Sequence, residues 1–391
     1  VQILSSNLVQ NPSFSEEGVQ EVSNGSFSQE GVQLVTNGDF ATDTAWAKGT
    51  GWSISGGTAN CDGTQTSGTN LIQNGLALGT NKIFKIEFEL KDYQAGELIY
   101  VNLTGTGILE FENINANGTY VAYSGLSTGD NFITFRADAD FIGSIDNVSV
   151  REVGQNWILG TGWSIAEDKA VATNAPSGER LRQNNVFTAG KTYKVTYEIT
   201  ELTQGGFQGY VGGTNITTRS AVGVYTETLV APLNDVFYIR TIGTTTGSVT
   251  NISVKEVGQN WELGTDVVIG NSVVKMNNSA ALQGATQTNV ITSGNLCKVS
   301  FEVKNYVNGI VNLRHPLSED VSANGVYTFV GNANDTKVFI RGADTTNNFE
   351  VTNISIIEIT SDTNLPRINY EGFSYQDALG SEEIVNGDFS N

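Results

Sequence analysis

The chain has 391 residues, with 44 Gly, 5 Pro, 2 Cys, 1 Met and 1 His. Only 16% are charged, and 41 acids against 21 bases give a net charge of −20. Phosphate backbones are bound by neutralising Lys and Arg, so the balance argues against nucleic acid and anionic membranes as partners, and the low charge argues against long solvated helices.

The chain opens on a short repeat. Asn11-Pro-Ser-Phe14, Asn24-Gly-Ser-Phe27 and Asn37-Gly-Asp-Phe40 are spaced by 13 residues. Each follows an alternating segment, such as Val19-Gln-Glu-Val22 or Val32-Gln-Leu-Val35. This reads as a short strand, a tight turn and a second short strand. A unit of that size cannot bury a core alone. Residues 1–31 are therefore expected to be an assembly segment, pairing with copies of the chain around a threefold axis or lying on a neighbouring protein. The alternative is a flexible leader.

A longer repeat follows. Asp146-Asn-Val-Ser-Val150, Thr250-Asn-Ile-Ser-Val254 and Thr352-Asn-Ile-Ser-Ile356 place their Asn residues 104 and 102 positions apart. Lys85-Ile-Glu-Phe-Glu-Leu90, Lys194-Val-Thr-Tyr-Glu-Ile199 and Lys298-Val-Ser-Phe-Glu-Val303 keep the same step, as do segments ending at Arg136, Arg240 and Arg341. Within each copy the apolar residues alternate with polar ones. Ile86, Phe88 and Leu90 would face a core, while Glu87 and Glu89 would face water. The predicted fold is all-β: three tandem β-sandwich (jelly-roll) domains at 32–153, 154–257 and 258–359, preceded by the 13-residue β-repeats. Residues 360–391 read as a linker and the start of a further repeat, because Glu383-Ile-Val-Asn-Gly-Asp-Phe389 restates residues 34–40. With Val1 in place of Met, this leads us to expect a fragment of a longer array.

The sole histidine, His315, stands before Pro316 in a loop-like stretch and offers little to catalysis. Cys61 and Cys297 fall in different copies, so neither a disulfide framework nor a zinc site is indicated. No apolar run of about 18 residues is present to span a membrane. Glu87 and Glu89 belong to a solvated Glu/Lys face rather than to a hydrolase's carboxylate pair. The chain is thus expected not to be an enzyme and to require no cofactor.

Leu34-Val-Thr-Asn-Gly-Asp-Phe40, Gly51-Trp-Ser-Ile54 and Ile145-Asp-Asn-Val-Ser-Val150 resemble carbohydrate-binding modules of the family 4/9 jelly-roll type. The second and third copies lack the opening Asn-Gly-Asp-Phe and carry Thr250 and Thr352 where the family has an acid. Repeated Asn-Gly-Ser/Asp-Phe units ahead of such modules look like bacteriophage fibre and appendage proteins. The resemblance implies a virion-surface or extracellular protein that contacts other virion proteins and host glycans; a secreted bacterial carbohydrate-binding array is the alternative. It also implies a structural calcium in the first sandwich held by Asp39 and Asp146, against which stand a turn hydrogen bond for Asp39 and an edge cap for Asp146. Sugar binding in jelly rolls uses exposed aromatics. Trp52 and Trp163 recur inside strands and read as core, and Trp157 and Trp261 read as packing at domain junctions. Trp46, Tyr93, Tyr100 and Tyr123, which lack clear counterparts, are the sugar-stacking candidates.

Overall fold

A computed structural model describes residues 2–103, 111–129, 131–361, 367–369 and 374–376. The described residues form strands, turns and bends with no helix. Three separate hydrophobic cores mark three sandwiches. The motif at 383–389 lies outside the described residues, as does most of 360–391.

The first sandwich shows how the sequence pattern becomes layers. One sheet runs in the order Gly118–Tyr123, Ile83–Ala95, Ile142–Val153, Thr58–Asp62, Trp52–Ser55. The facing sheet runs Phe111–Ile114, Leu98–Leu103, Phe132–Ala137, Thr69–Asn74, Ala47–Lys48. The period of two turns Ile86, Phe88 and Leu90 inward, and all three are buried. Phe88 meets Phe135 of the facing sheet edge-on, with ring centroids 5.1 Å apart. Glu87 and Glu89 lie on the outer face, where Lys85 and Lys91 pair with them.

The third sandwich repeats this plan. Val267–Gly270, Val273–Ser279, Asn347–Ser361, Leu296–Asn308 and Gly325–Asn332 form one sheet, and Glu262–Leu263, Gly284–Gln287, Val338–Gly342, Val311–His315 and Glu319–Val321 the other. In the second sandwich two long strands, Thr192–Val211 and Phe237–Val257, join both layers into one hydrogen-bonded system.

Each sandwich has one incomplete place. In the first, Ile142–Val153 pairs along its length with Ile83–Ala95 on one side. On its other side Thr58–Asp62 covers only Ile142 to Ile145. Beyond that the strand bulges at Asn147, which holds a φ of 54° and bonds its side-chain amide to Glu89 Oε2 at 3.0 Å. Asn251 and Asn353 repeat the positive φ and donate to Glu198 and Glu302. At all three Asn-x-Ser sequences Asn takes the left-handed backbone that it tolerates and the strand kinks. After the bulge the strand edge is open, and open edges invite another strand.

The 13-residue units fill those edges. Glu30–Gln33 pairs with Ile142–Val153, Glu17–Gln20 with Phe237–Val257, and Gln2–Leu4 with Asn347–Ser361. The order is reversed: the first unit in sequence completes the last sandwich. The chain correspondingly divides into two compact units, one joining Val1–Gly18 to Glu256 and beyond, the other spanning Val19–Lys255. Residues 1–31, expected from sequence to pair with other chains, thus pair with the sandwiches of their own chain. Val9, Phe14, Val22, Phe27, Val35 and Phe40 are all buried in this chain's own cores, while Val19 and Val32 stay exposed.

Candidate functional site

Two recurring arrangements stand out, an insertion slot and an open sheet face. The slot is built from polar groups that replace missing backbone partners. Gln33 Oε1 accepts from Val35 N (3.2 Å) and Val150 N (2.9 Å), and its Nε2 donates to Val148 O (3.2 Å). The side-chain amide thus stands in for a peptide unit at the bulge. Gln20 does the same with Val254 N and Ile252 O, and the shorter Asn7 with Ile356 N and Ile354 O. From the other sheet a buried glutamine grips the unit in both directions. Gln73 accepts from Thr36 N (2.8 Å) and donates to Thr36 O (2.7 Å). Gln183 holds Ser23, and Gln287 holds Gln10, in the same manner.

The Asn-x-x-Phe turn then locks the unit in place. Asn11, Asn24 and Asn37 and the following Phe14, Phe27 and Phe40 all take left-handed φ, between 45° and 57°. The Asn carbonyl receives the Phe amide at 3.2 Å and a tryptophan indole N–H. Those donors are Trp261 to Asn11 O (3.2 Å), Trp157 to Asn24 O (2.9 Å) and Trp46 to Asn37 O (3.1 Å). Each indole also packs on the phenylalanine of its unit, at 4.9, 5.2 and 5.2 Å between centroids. In the second and third units glycine allows a close approach, since a Cβ on Gly25 would lie 1.9 Å from Ile252 O and one on Gly38 2.1 Å from Val148 O, whereas Pro12 holds the place in the first unit.

These contacts correct three sequence expectations. Trp157 and Trp261 are clasp residues inside the sandwiches rather than junction packing. Trp46 is their counterpart and is buried, so no sugar can stack on it. Its loop, Thr42-Asp-Thr-Ala-Trp46, hid the equivalence because the Gly-Gln-Asn preceding the other two is absent. Trp52 and Trp163 are core, as expected.

The other candidates separate by position. Tyr93 donates to Gly96 O (2.9 Å) across a turn and has a counterpart in Tyr306, which donates to Gly309 O (2.6 Å). Tyr123 packs against the core of the second sandwich. Tyr100 lies on the open face of its sheet, directly opposite Arg136 in the ladder. Asp146 accepts from Lys91 Nζ at 2.9 Å, and Asp39 from Ala41 N at 3.4 Å. Calcium wants six to eight oxygens; here one carboxylate is already matched by an ammonium and the other is turned to its own loop. At the equivalent place Thr250 Oγ1 donates to Asp168 O and Ser26 O, and Thr352 Oγ1 to Ser272 O and Ser13 O. A hydroxyl there ties the inserted unit to the neighbouring loop. No cluster of three or more His, Cys, Asp or Glu suited to a metal occurs among the described residues. His315 ends a strand rather than lying in a loop, with Nδ1 2.7 Å from Asn334 Oδ1.

The second arrangement was missed from sequence. Arg136, Arg240 and Arg341 all project outward from their sheets, since Phe135, Ile239 and Ile340 beside them point inward. Each guanidinium is held by an amide on a neighbouring strand: Arg136 by Asn70 Oδ1 (3.2 Å), Arg240 by Gln208 Oε1 (3.0 Å from Nε), Arg341 by Asn312 Oδ1 (2.8 Å). An aromatic ring lies on the same face: Tyr100 in the first sandwich, Tyr210 in the second, where it covers the buried Tyr238, and Phe339 in the third. The recurrence of Arg at one step of the long repeat was the available signal.

No known family profile matches the chain, and no curated protein does. Among solved structures it is similar to the N-terminal CBM22-1–CBM22-2 tandem domain of a Paenibacillus barcinonensis protein, at 11% identity, covering 59% of this chain and 98% of that one, with a TM-score of 0.24. It is also similar to a chain from the Sulfolobus Turreted Icosahedral Virus structure, at 11% identity, 81% and 90% coverage, and a TM-score of 0.18. A chain from a study of the triple jelly-roll fold and turret assembly in an archaeal virus matches at 11% identity, 81% and 89% coverage, and a TM-score of 0.18. Among the described residues no helix is long and apolar enough to cross a membrane.

Proposed function

We propose that this chain is a non-enzymatic structural and adhesive protein, displayed on a virion surface as part of a phage fibre, decoration or tail appendage, whose sandwiches attach to glycans. The observation that carries the reading is the repeated open face, where a clamped arginine lies beside an aromatic ring in all three sandwiches. Guanidinium N–H groups and amides suit sugar hydroxyls, and flat aromatic or apolar surface suits the C–H face of a pyranose. Three such faces on one chain would multiply weak individual affinities when they engage one polymer. The insertion units supply the structural half of the role. They tie the start of the chain to each sandwich, so that opening any of them requires loss of a buried aromatic clasp.

The test is binding of the whole chain to a panel of immobilised polysaccharides, beside a variant carrying Arg136→Ala, Arg240→Ala and Arg341→Ala. The reading expects retention of the parent chain on at least one glycan and its loss in the variant at unchanged thermal unfolding. Failure of the parent to bind any glycan, or equal retention of the variant, overturns it.

A further inference from the structure

The face of the second sandwich differs from the other two in charge. Arg180 and Arg182 project from the strand Arg180–Gln183, with Leu181 between them fully buried. Arg180 is the direct cross-strand partner of Arg240, and Arg182 of Tyr238. Like charges directly opposite in a ladder are destabilising. The equivalent partners of Arg136 and Arg341 are the neutral Asn70 and Gly284. The pairing of two arginines is thus particular to this sheet.

The guanidiniums are also held ready. Arg180 lies over the Tyr238 ring at 4.4 Å, and Tyr238 in turn stacks on Tyr210 with centroids 4.3 Å apart and planes 5° from parallel. Gln208 takes two N–H groups of Arg240. None of Arg180, Arg182 and Arg240 forms an ion pair among the described residues. Two acids lie nearby: Glu179, which lines the same groove and accepts from Thr161 N (2.8 Å), and Asp235, which accepts from the Tyr210 hydroxyl (3.2 Å). Arg180 and Arg182 line a groove of about 350 Å³ together with Glu179, and the exposed Ile158, cross-strand from Arg182, gives it an apolar wall. In a chain with 41 acids against 21 bases, three arginines on one face beside a single groove carboxylate, Glu179, form a local positive excess that suits an external anion.

We propose that this face binds an anionic polysaccharide, with carboxylate or sulfate groups of a pyranose chain paired to Arg180, Arg182 and Arg240 and sugar C–H surface laid on the exposed Ile158. The proposal rests on the glycan-binding reading above and narrows it to one sandwich and one ligand class. Fork-shaped guanidinium contacts to planar oxyanions are among the strongest polar interactions available.

The experiment is calorimetric titration of the full chain with polygalacturonate, dextran sulfate and neutral xylan, in low and high salt. The parent chain is expected to prefer one or both polyanions over xylan, with salt weakening the binding. The polygalacturonate and dextran sulfate arms separate carboxylate from sulfate recognition. An Arg180→Gln/Arg182→Gln variant should lose about ten-fold or more in affinity while its melting temperature holds or rises, because the opposed charges are relieved. Equal binding of xylan and the polyanions, an unaffected variant, or equal competition by double-stranded DNA overturns the proposal. If neutral glycans bind and the double variant is unaffected, only the anionic assignment falls. If no glycan binds, the adhesive reading falls with it.

Discussion

Phe27→Ala should unfold the second sandwich at lower temperature and leave the other two nearly unchanged. Phe27 is 1% exposed, belongs to the hydrophobic cluster of that sandwich and packs on Trp157 at 5.2 Å. Removing a buried Phe side chain costs about 3–5 kcal/mol through lost transfer energy and the cavity left behind. The positive φ at residue 27 is equally unfavourable for Ala, so backbone strain does not offset the loss. Val19 lies in the same unit but is 77% exposed, so Val19→Ala should change stability by about 0.5 kcal/mol or less. Several cores give several transitions, so the assay must resolve them. Hydrogen exchange by mass spectrometry under rising urea does so, following peptides from the strand Phe237–Val257 against those from Ile142–Val153. The predicted result is a lower midpoint for the first set alone. Equal small shifts for Phe27→Ala and Val19→Ala would refute the view that the unit is part of the core.

Gln183→Ala removes both grips on Ser23 and should destabilise the same sandwich by about 1–3 kcal/mol, read by the same urea series. Burial pushes the Cys61 thiol up to about 11 and raises that of Cys297 as well; because the thiolate is the reactive form, a colorimetric thiol reagent at pH 8 should react slowly with the folded chain and rapidly once urea unfolds it.

Much of the fold was legible because it repeats. Period-two alternation around Phe88 marked the inner face, and the 104- and 102-residue steps marked three copies. What sequence reasoning could not see was the destination of the 13-residue units. A segment as short as Val19 to Val22 shows a strand and a turn but carries no address, because its partners, Gln183 and Trp157, lie more than a hundred residues away. The clasp also used residues whose chemistry points elsewhere: an exposed-looking Trp46 suggested sugar stacking, yet its ring covers Phe40 and its N–H closes a turn. The open face was illegible for a related reason. Arg180, Gln208 and Tyr238 become neighbours only when three strands are laid side by side.

The central claim is that the units serve the sandwiches in reverse order, and deletion of residues 1–16 tests it most directly. That deletion removes Val9, Phe14 and the Asn11 carbonyl that receives the Trp261 indole. Hydrogen exchange should then show lost protection in the third sandwich, along Asn347–Ser361 beyond Asn353, where Ile354 N donates to Pro12 O, Ile356 N to Asn7 Oδ1 and Glu358 N to Ser5 Oγ. The strands Ile142–Val153 and Phe237–Val257 should keep theirs. Loss of protection in the first sandwich, or unchanged exchange throughout, would contradict the account.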